Sequence, residues 1–208
     1  EPAPPDEAGN LGAPFVVQRY TADPQTILSY REDRLLGQLG RLYLPGPLLQ
    51  AFLGWYARTY GADLSQAERP LAAYRTFVDF FTRRLAPGAR PQPDDPLAVT
   101  SPADGRVVEA GPVEHGQVLQ AKGAPYALAD LLGSVEHAER YLGGSFLTVY
   151  LAPGDYHRFH WPLTGRLTSV RHLPGDLWPV NAKAVACVPR LFVRNERDLF
   201  VPTGFGGG

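Results

Sequence analysis

The pattern of apolar residues predicts an α+β fold: an N-terminal helical segment followed by a mainly antiparallel β sandwich or half-barrel with inserted helices. Three observations carry this. From Gln25 to Arg84 apolar residues recur at helical spacing. From Gly105 onward they fall in short runs cut by Gly, Pro and Asp, the punctuation of strands. Between the two, Ala86 to Pro96 holds four prolines and a glycine, a linker composition. The expected organisation is therefore a flexible arm over 1–25, a helical region over 26–85, a linker over 86–96 and a β-rich catalytic domain over 97–208.

Each element has its own reason. Pro2, Pro4, Pro5, Pro14 and Pro24 make residues 1–25 an arm not expected to join a core. Pro45-Gly46-Pro47 separates two helices and Gly61-Ala62-Asp63 ends the second. A third helix is expected over Tyr74 to Leu85, where Tyr74, Phe77, Val78, Phe81 and Leu85 share one face. Strands are expected at Gly105 to Ala110, Gln117 to Ala121, Phe146 to Leu151, Arg166 to His172 and Leu191 to Val193, with a helix or helical pair across Tyr126 to Leu142. No repeat with a period of 20 to 50 residues is apparent.

Composition narrows the function. The 208 residues are 44% hydrophobic, enough for a sizeable core. A single cysteine, Cys187, excludes an internal disulfide framework and a Cys-rich zinc site, and reads as a small buried hydrophobe. No methionine is present, even at position 1, so the chain is expected to be a fragment or a processed piece. A net charge of −1 argues against a general nucleic-acid binder. The charge is uneven: residues 1–30 carry one basic and four acidic side chains, residues 31–90 nine basic and five acidic. Within the basic stretch Leu42 to Ala57 is uncharged, but it is too short and too broken by proline to span a bilayer. Trp55, Tyr56 and Tyr60 beside Arg41 and Arg58 would suit a helix lying in a headgroup interface, or equally one packed on its own domain.

The chemistry concentrates in Asp155-Tyr156-His157-Arg158-Phe159-His160-Trp161-Pro162, where two of the five histidines follow an expected strand. Imidazoles titrate nearest neutral pH and can donate, accept or ligate. Alone, such a pair is more often structural than functional. Asp104, in Ser101-Pro102-Ala103-Asp104-Gly105-Arg106, sits at a turn leading into another strand, ordinarily the place of a simple turn former. An Asp at one strand mouth and a His at another are also the two rear members of a nucleophile, base and orienting-acid triad. No serine here stands in a nucleophile-elbow setting.

Several ordered blocks give these residues a context. Tyr74-Arg75-Thr76-Phe77 with Phe80-Phe81-Thr82-Arg83, Pro87-Gly88-Ala89-Arg90-Pro91, Ser101 to Gly105, Leu119-Gln120-Ala121-Lys122-Gly123, Tyr150 with Asp155 to His160, Pro174-Gly175-Asp176-Leu177, Val180-Asn181 and Phe192-Val193-Arg194-Asn195-Glu196-Arg197 follow one another in register. Together they resemble the phosphatidylserine decarboxylase family along nearly all of residues 31–205. The resemblance implies a proenzyme that cuts itself at a Gly-Ser pair, with His160 as base and Asp104 orienting it. The serine's attack on the preceding carbonyl, followed by elimination, leaves a pyruvoyl cofactor at the new N-terminus of a small C-terminal chain, the partner of this one. That group forms a Schiff base with the substrate amine and accepts the electrons freed as CO2 leaves, so phosphatidylserine becomes phosphatidylethanolamine. His157 matches the residue assigned to decarboxylation. Lys122 and Arg158 face the substrate phosphate or carboxylate in this reading, although solvated charges are the commoner role of such residues. The family's Gly-Ser pair is expected beyond Gly208, so the 208 residues alone are expected to be inactive. Resemblance to bacterial members implies peripheral attachment to an anionic membrane surface, at the cytoplasmic face of the inner membrane; a homodimer stays open.

Two readings from other classes compete. A zinc-dependent hydrolase would ligate the metal with His157, His160 and Asp104. A non-enzymatic membrane-surface module would use only the helices between Gln25 and Arg84.

Overall fold

The computed structural model describes residues 15–18, 40–95, 98–120, 124–162 and 166–203. In chain order the elements are β1 (Phe15–Gln18), α1 (Gly46–Tyr60), a 3-10 turn (Leu71–Ala73), α2 (Phe77–Phe81), β2 (Arg106–Pro112), β3 (Gln117–Gln120), β4 (Ala124–Ala127), α3 (Leu128–Leu132), α4 (Val135–Glu139), β5 (Ser145–Tyr150), β6 (Arg166–Leu173), α5 (Ala182–Cys187), α6 (Leu191–Arg194) and β7 (Arg197–Thr203). This is the α+β class the sequence predicts. The chain forms two compact units, a helical one of residues 31–106 and 149–162 and a strand-rich one of 1–30, 107–148 and 163–208.

In the helical unit, α1 opens behind Pro45 and Pro47, which favour a first turn, and closes at Gly61 in the left-handed conformation, φ 69°. Its residues Leu49, Leu53, Tyr56 and Ala57, spaced i, i+4, i+7 and i+8, are buried with Tyr74 and Phe80. Full burial of Leu53 and Phe80 contributes roughly 1.5–3 kcal/mol each. The expected helix over Tyr74 to Leu85 is shortened to α2. Tyr74 closes the 3-10 turn in extended backbone, and Thr76 caps α2 by accepting the Asp79 N–H at 3.1 Å. The Thr82 hydroxyl then donates to the Val78 carbonyl at 2.8 Å as the helix ends. Of the helix expected before Pro45, residues 40–44 form a turn and irregular chain instead, and the rest lies outside the described residues.

The proline-rich 86–96 segment does not separate the units. Ala86 N donates to Gln66 O at 2.8 Å and Glu68 N to Arg84 O at 2.9 Å, so its start is stitched into the helical unit. Residues 149–162, expected within a β-rich domain, belong to the helical unit too.

In the strand-rich unit β7 is the middle strand of a three-stranded sheet, antiparallel to β1 and to β6. Register runs from Phe15 opposite Phe200 to Gln18 opposite Arg197, and from Arg166 opposite Thr203 to Leu173 opposite Arg197, with a shift between Leu167 and Ser169. β3 and β4 form an antiparallel hairpin, and β2 pairs with β5. Val118, Tyr126, Leu128, Leu132 and Leu199 centre the core.

Three expectations are corrected here. The flexible-arm reading of 1–25 fails at Phe15–Gln18, because a Phe-Val-Val run suits a ladder and pairs with β7; the rest of that arm lies outside the described residues. Leu191 to Val193 is helical rather than extended: Arg190 takes the left-handed conformation, φ 55°, and its carbonyl accepts the N–H groups of Val193 and Arg194, both at 3.0 Å. Cys187 is exposed, since α5 turns Ala184 and Val185 inward and leaves its last residue outside.

Candidate functional site

The sequence-predicted residues Asp104, His157 and His160 all fall in the helical unit. The turn before β2 and the loop after β5 are joined directly: the His160 N–H donates to the Pro102 carbonyl at 2.6 Å, and the Thr100 N–H to the Pro162 carbonyl at 2.7 Å. Gly105 makes this approach feasible. Its φ is 147°, and a Cβ there would run into the Tyr150 carbonyl. The result is an open cleft of about 780 Å³ walled by Ser101, Asp104, Arg106, Tyr150, Ala152 and Asp155 among others.

The loop carrying the histidines is anchored from below. Tyr56, on α1, donates its hydroxyl to Pro153 O at 2.9 Å. Arg83, 3% exposed, donates to the carbonyls of Gly154 at 3.0 Å and Asp155 at 3.3 Å. Gly154 lies so close to the Tyr60 carbonyl and the Ala62 nitrogen that no side chain fits. Asp155 turns back and accepts the Ala152 N–H at 2.6 Å.

The two histidines are in different states. His157 stacks on Phe81, ring centres 3.9 Å apart, and its Nε2 lies 3.0 Å from Ala152 O. A carbonyl only accepts, so that nitrogen carries the hydrogen. Burial pushes the His157 pKa down to about 4, against smaller opposing contributions from the Ala152 carbonyl and Asp155. The ring is therefore neutral at physiological pH. His160 is exposed, with Nε2 2.9 Å from the hydroxyl of buried Tyr156 and the two rings stacked. Burial raises the Tyr156 pKa, so the phenol keeps its proton.

The expected side-chain bond between Asp104 and His160 is not formed. Both oxygens of Asp104 are taken by Arg90, Nε to Oδ1 at 2.9 Å and a second guanidinium nitrogen to Oδ2. Arg158 spends its Nε on the Thr82 carbonyl at 2.8 Å. Lys122 lies outside the described residues. The zinc-hydrolase reading is not supported: among the described residues no three His, Cys, Asp or Glu side chains converge in a metal-ligating group. The Nε2 of His157 is directed at a backbone carbonyl instead.

Arg83, Arg90 and Tyr156 are the participants that residue-by-residue reading left without a role. Nothing local marks Arg90, which follows the turn at Gly88, φ 78°, and meets Asp104 across 14 positions of chain. Arg83 carries a weak signal, a charge directly after the apolar run of α2.

The fold and site define an α+β protein in which a His-x-x-His loop is hydrogen-bonded to an Asp turn that walls an open cleft. A family model described as phosphatidylserine decarboxylase matches residues 77–206. The phosphatidylserine decarboxylase proenzyme of Anaeromyxobacter sp. (strain K) is 49% identical over 165 residues, 79% of this chain and 58% of the relative. That of Myxococcus xanthus (strain DK1622) is 44% identical over 163 residues, 78% and 58% respectively. That of Xanthomonas axonopodis pv. citri (strain 306) is 49% identical over 168 residues, 79% and 60%. The chain belongs to the phosphatidylserine decarboxylase family, and spans about 60% of the length of these curated relatives.

Proposed function

We propose that this chain is the larger part of a self-cleaving, pyruvoyl-dependent phosphatidylserine decarboxylase, which converts phosphatidylserine to phosphatidylethanolamine and CO2. The observation that carries the reading is the 2.6 Å bond from His160 N to Pro102 O, which sets the histidine loop against the Asp104 turn at an open cleft. In this reading His160 is the general base that takes the hydroxyl proton of a serine from the rest of the proenzyme. It does so through Nε2, in the tautomer with Nδ1 protonated; the Tyr156 hydroxyl holds the Nε2 lone pair in this structure and releases it when the ring rotates toward Asp104. Asp104 orients the ring. Its carboxylate has about four lone-pair positions, so Arg90's fork leaves room for the Nδ1–H once His160 rotates about its side-chain bonds.

A pyruvoyl group, when present, supplies a carbonyl that takes up electrons as the carboxylate leaves. The donor set fits such a group beside a charged headgroup: Tyr150 and Arg106 line the cleft, and the Arg106 side chain makes no hydrogen bond or ion pair among the described residues. Arg106 therefore replaces Lys122 and Arg158 as our choice of residue for the headgroup anion. His157, held neutral, keeps in this reading the part in decarboxylation that the family resemblance implies.

Self-cleavage is tested by intact mass of the protein expressed from its complete reading frame, beside Asp104→Ala and His160→Ala. Two fragments, the smaller bearing an N-terminal pyruvoyl group and both absent from the variants, are expected, with decarboxylation blocked by hydroxylamine. A single uncut chain in all three would overturn the reading.

The membrane reading rests on α1, whose Leu48, Phe52 and Trp55, at i, i+4 and i+7, are 57%, 37% and 50% exposed beside its buried face. No described helix is long and apolar enough to cross a membrane. With Arg41 and Arg58 nearby in sequence, this stripe suits peripheral docking on an anionic surface, the cytoplasmic face of a bacterial inner membrane being our choice. The double variant Phe52→Glu, Trp55→Glu is expected to lose co-sedimentation with phosphatidylglycerol-containing vesicles; unchanged binding would sink this part.

A further inference from the structure

The helical unit holds one feature that a base-and-acid pair alone does not need. Arg90 presents a guanidinium fork to Asp104, engaging each carboxylate oxygen with a separate nitrogen. Arg90 is itself seated by two further acceptors, Gln66 Oε1 at 2.5 Å and the Ala89 carbonyl at 2.6 Å. The guanidinium plane is thus fixed by groups independent of Asp104, and a bidentate fork transfers that plane to the carboxylate.

Magnitude separates the two roles such a pair can have. The Arg90 and Asp104 side chains are 40% and 26% exposed, and pairs this accessible add little to folding. The geometric constraint is large by comparison. A carboxylate on a turn rotates freely about two bonds unless something holds it. Asp104 has no other side-chain partner among the described residues. Two residues before it, Pro102 O receives the His160 N–H, so whatever sets the orientation of Asp104 sets it relative to the imidazole.

We propose that Arg90 is a positioning residue for self-cleavage: seated by Gln66 and Ala89, it holds the Asp104 carboxylate in the orientation from which the free lone pairs can receive His160. It touches no reacting atom. The inference rests on the proenzyme reading above, and goes beyond it by assigning the orienting acid its own support.

The test uses the protein from its complete reading frame and follows the rate at which the two fragments form. Arg90→Ala is expected to cleave on the order of tenfold to hundredfold more slowly, the usual penalty for a misplaced group, with a melting temperature within a few degrees of the parent. Arg90→Lys keeps the charge without the fork, and is expected to fall between the two. Millimolar methylguanidinium chloride is expected to accelerate Arg90→Ala and to leave Asp104→Ala inactive, which a loop staple would not do. Parental or faster cleavage in Arg90→Ala overturns the proposal. If Arg90→Ala fails to fold, Arg90→Lys decides alone, and parental cleavage in it overturns the proposal. Failure of the underlying reading looks different, because then Asp104→Ala and His160→Ala themselves cleave, or the parent does not.

Discussion

Arg197 in the strand-rich unit and Arg83 in the helical unit are both buried cations that hold backbone carbonyls, 5% and 3% exposed. All three guanidinium nitrogens of Arg197 donate: Nε to Leu131 O at 2.7 Å, one terminal nitrogen to Val193 O at 2.6 Å and Asn195 O at 2.9 Å, and the other to Asp130 O at 2.8 Å. It sits beside Asn195, fully buried, whose amide both accepts from and donates to the Trp178 backbone. In Arg83 one terminal nitrogen serves Gly154 and Asp155, while Nε is buried with no hydrogen-bond partner among the described residues. Burial lowers the pKa of both. The first arginine is a completed polar network that fastens a corner of the fold. The second is an incomplete one, under the loop that carries the histidines. Unsatisfied buried donors cost stability, and they concentrate where a segment has a task besides folding.

The comparison is broken or sharpened first at Arg197. Arg197→Leu strips four backbone carbonyls, that of Asn195 buried, of their donor, and is expected to cost about 3–5 kcal/mol in urea unfolding. Arg83→Leu removes two hydrogen bonds but also a partly unpaired buried charge, so a smaller loss of about 1–3 kcal/mol is expected. In the complete proenzyme the same variant is expected to slow fragment formation, because Gly154 and Asp155 lose their anchor. An Arg83→Leu loss equal to or above that of Arg197→Leu would end the distinction.

An effect no larger than that of Arg83→Leu is expected on pH. The folded pKa of His157, about 4, lies below its unfolded value of about 6.5, so the unfolded chain binds this proton first. Stability from this group is fully present above the unfolded value and is lost as pH falls toward the folded one. Between pH 7 and pH 5 the loss is expected to be about 2 kcal/mol. Urea midpoints of the parent and His157→Gln at the two pH values check it, the difference between them shrinking in the variant if His157 is the cause.

Much of the fold was legible because its cues are local. The apolar spacing of α1, the proline and glycine punctuation at 45–47 and 61, and the short apolar run of β5 need no distant partner to be understood. The misread elements are those whose state depends on remote neighbours. Phe15–Gln18 becomes a strand only because β7 offers an open edge, and Leu191 to Val193 is apolar enough for a strand until the left-handed Arg190 starts a helical turn. The site divides in the same way. The His-x-x-His block and the Asp turn were legible as chemistry. The Arg90 fork was not, since Arg90 stands 14 positions before Asp104 and nothing in the intervening chain marks the pairing.

The sequence by itself determined which groups are available: two imidazoles three residues apart, an aspartate at a Pro/Gly turn, ordered blocks that identify the family, and a helix apolar on more than one face. Residue type and local spacing settle these, because side-chain chemistry and backbone propensity act over a few residues. Only the tertiary structure decided how the groups differ. It half-buried His157 against Phe81 and left His160 exposed, gave Asp104 to Arg90, and placed the histidine loop with the helices instead of the strands. Desolvation and hydrogen-bond partnership depend on what surrounds a group in space, and residues far apart in the chain supply those surroundings.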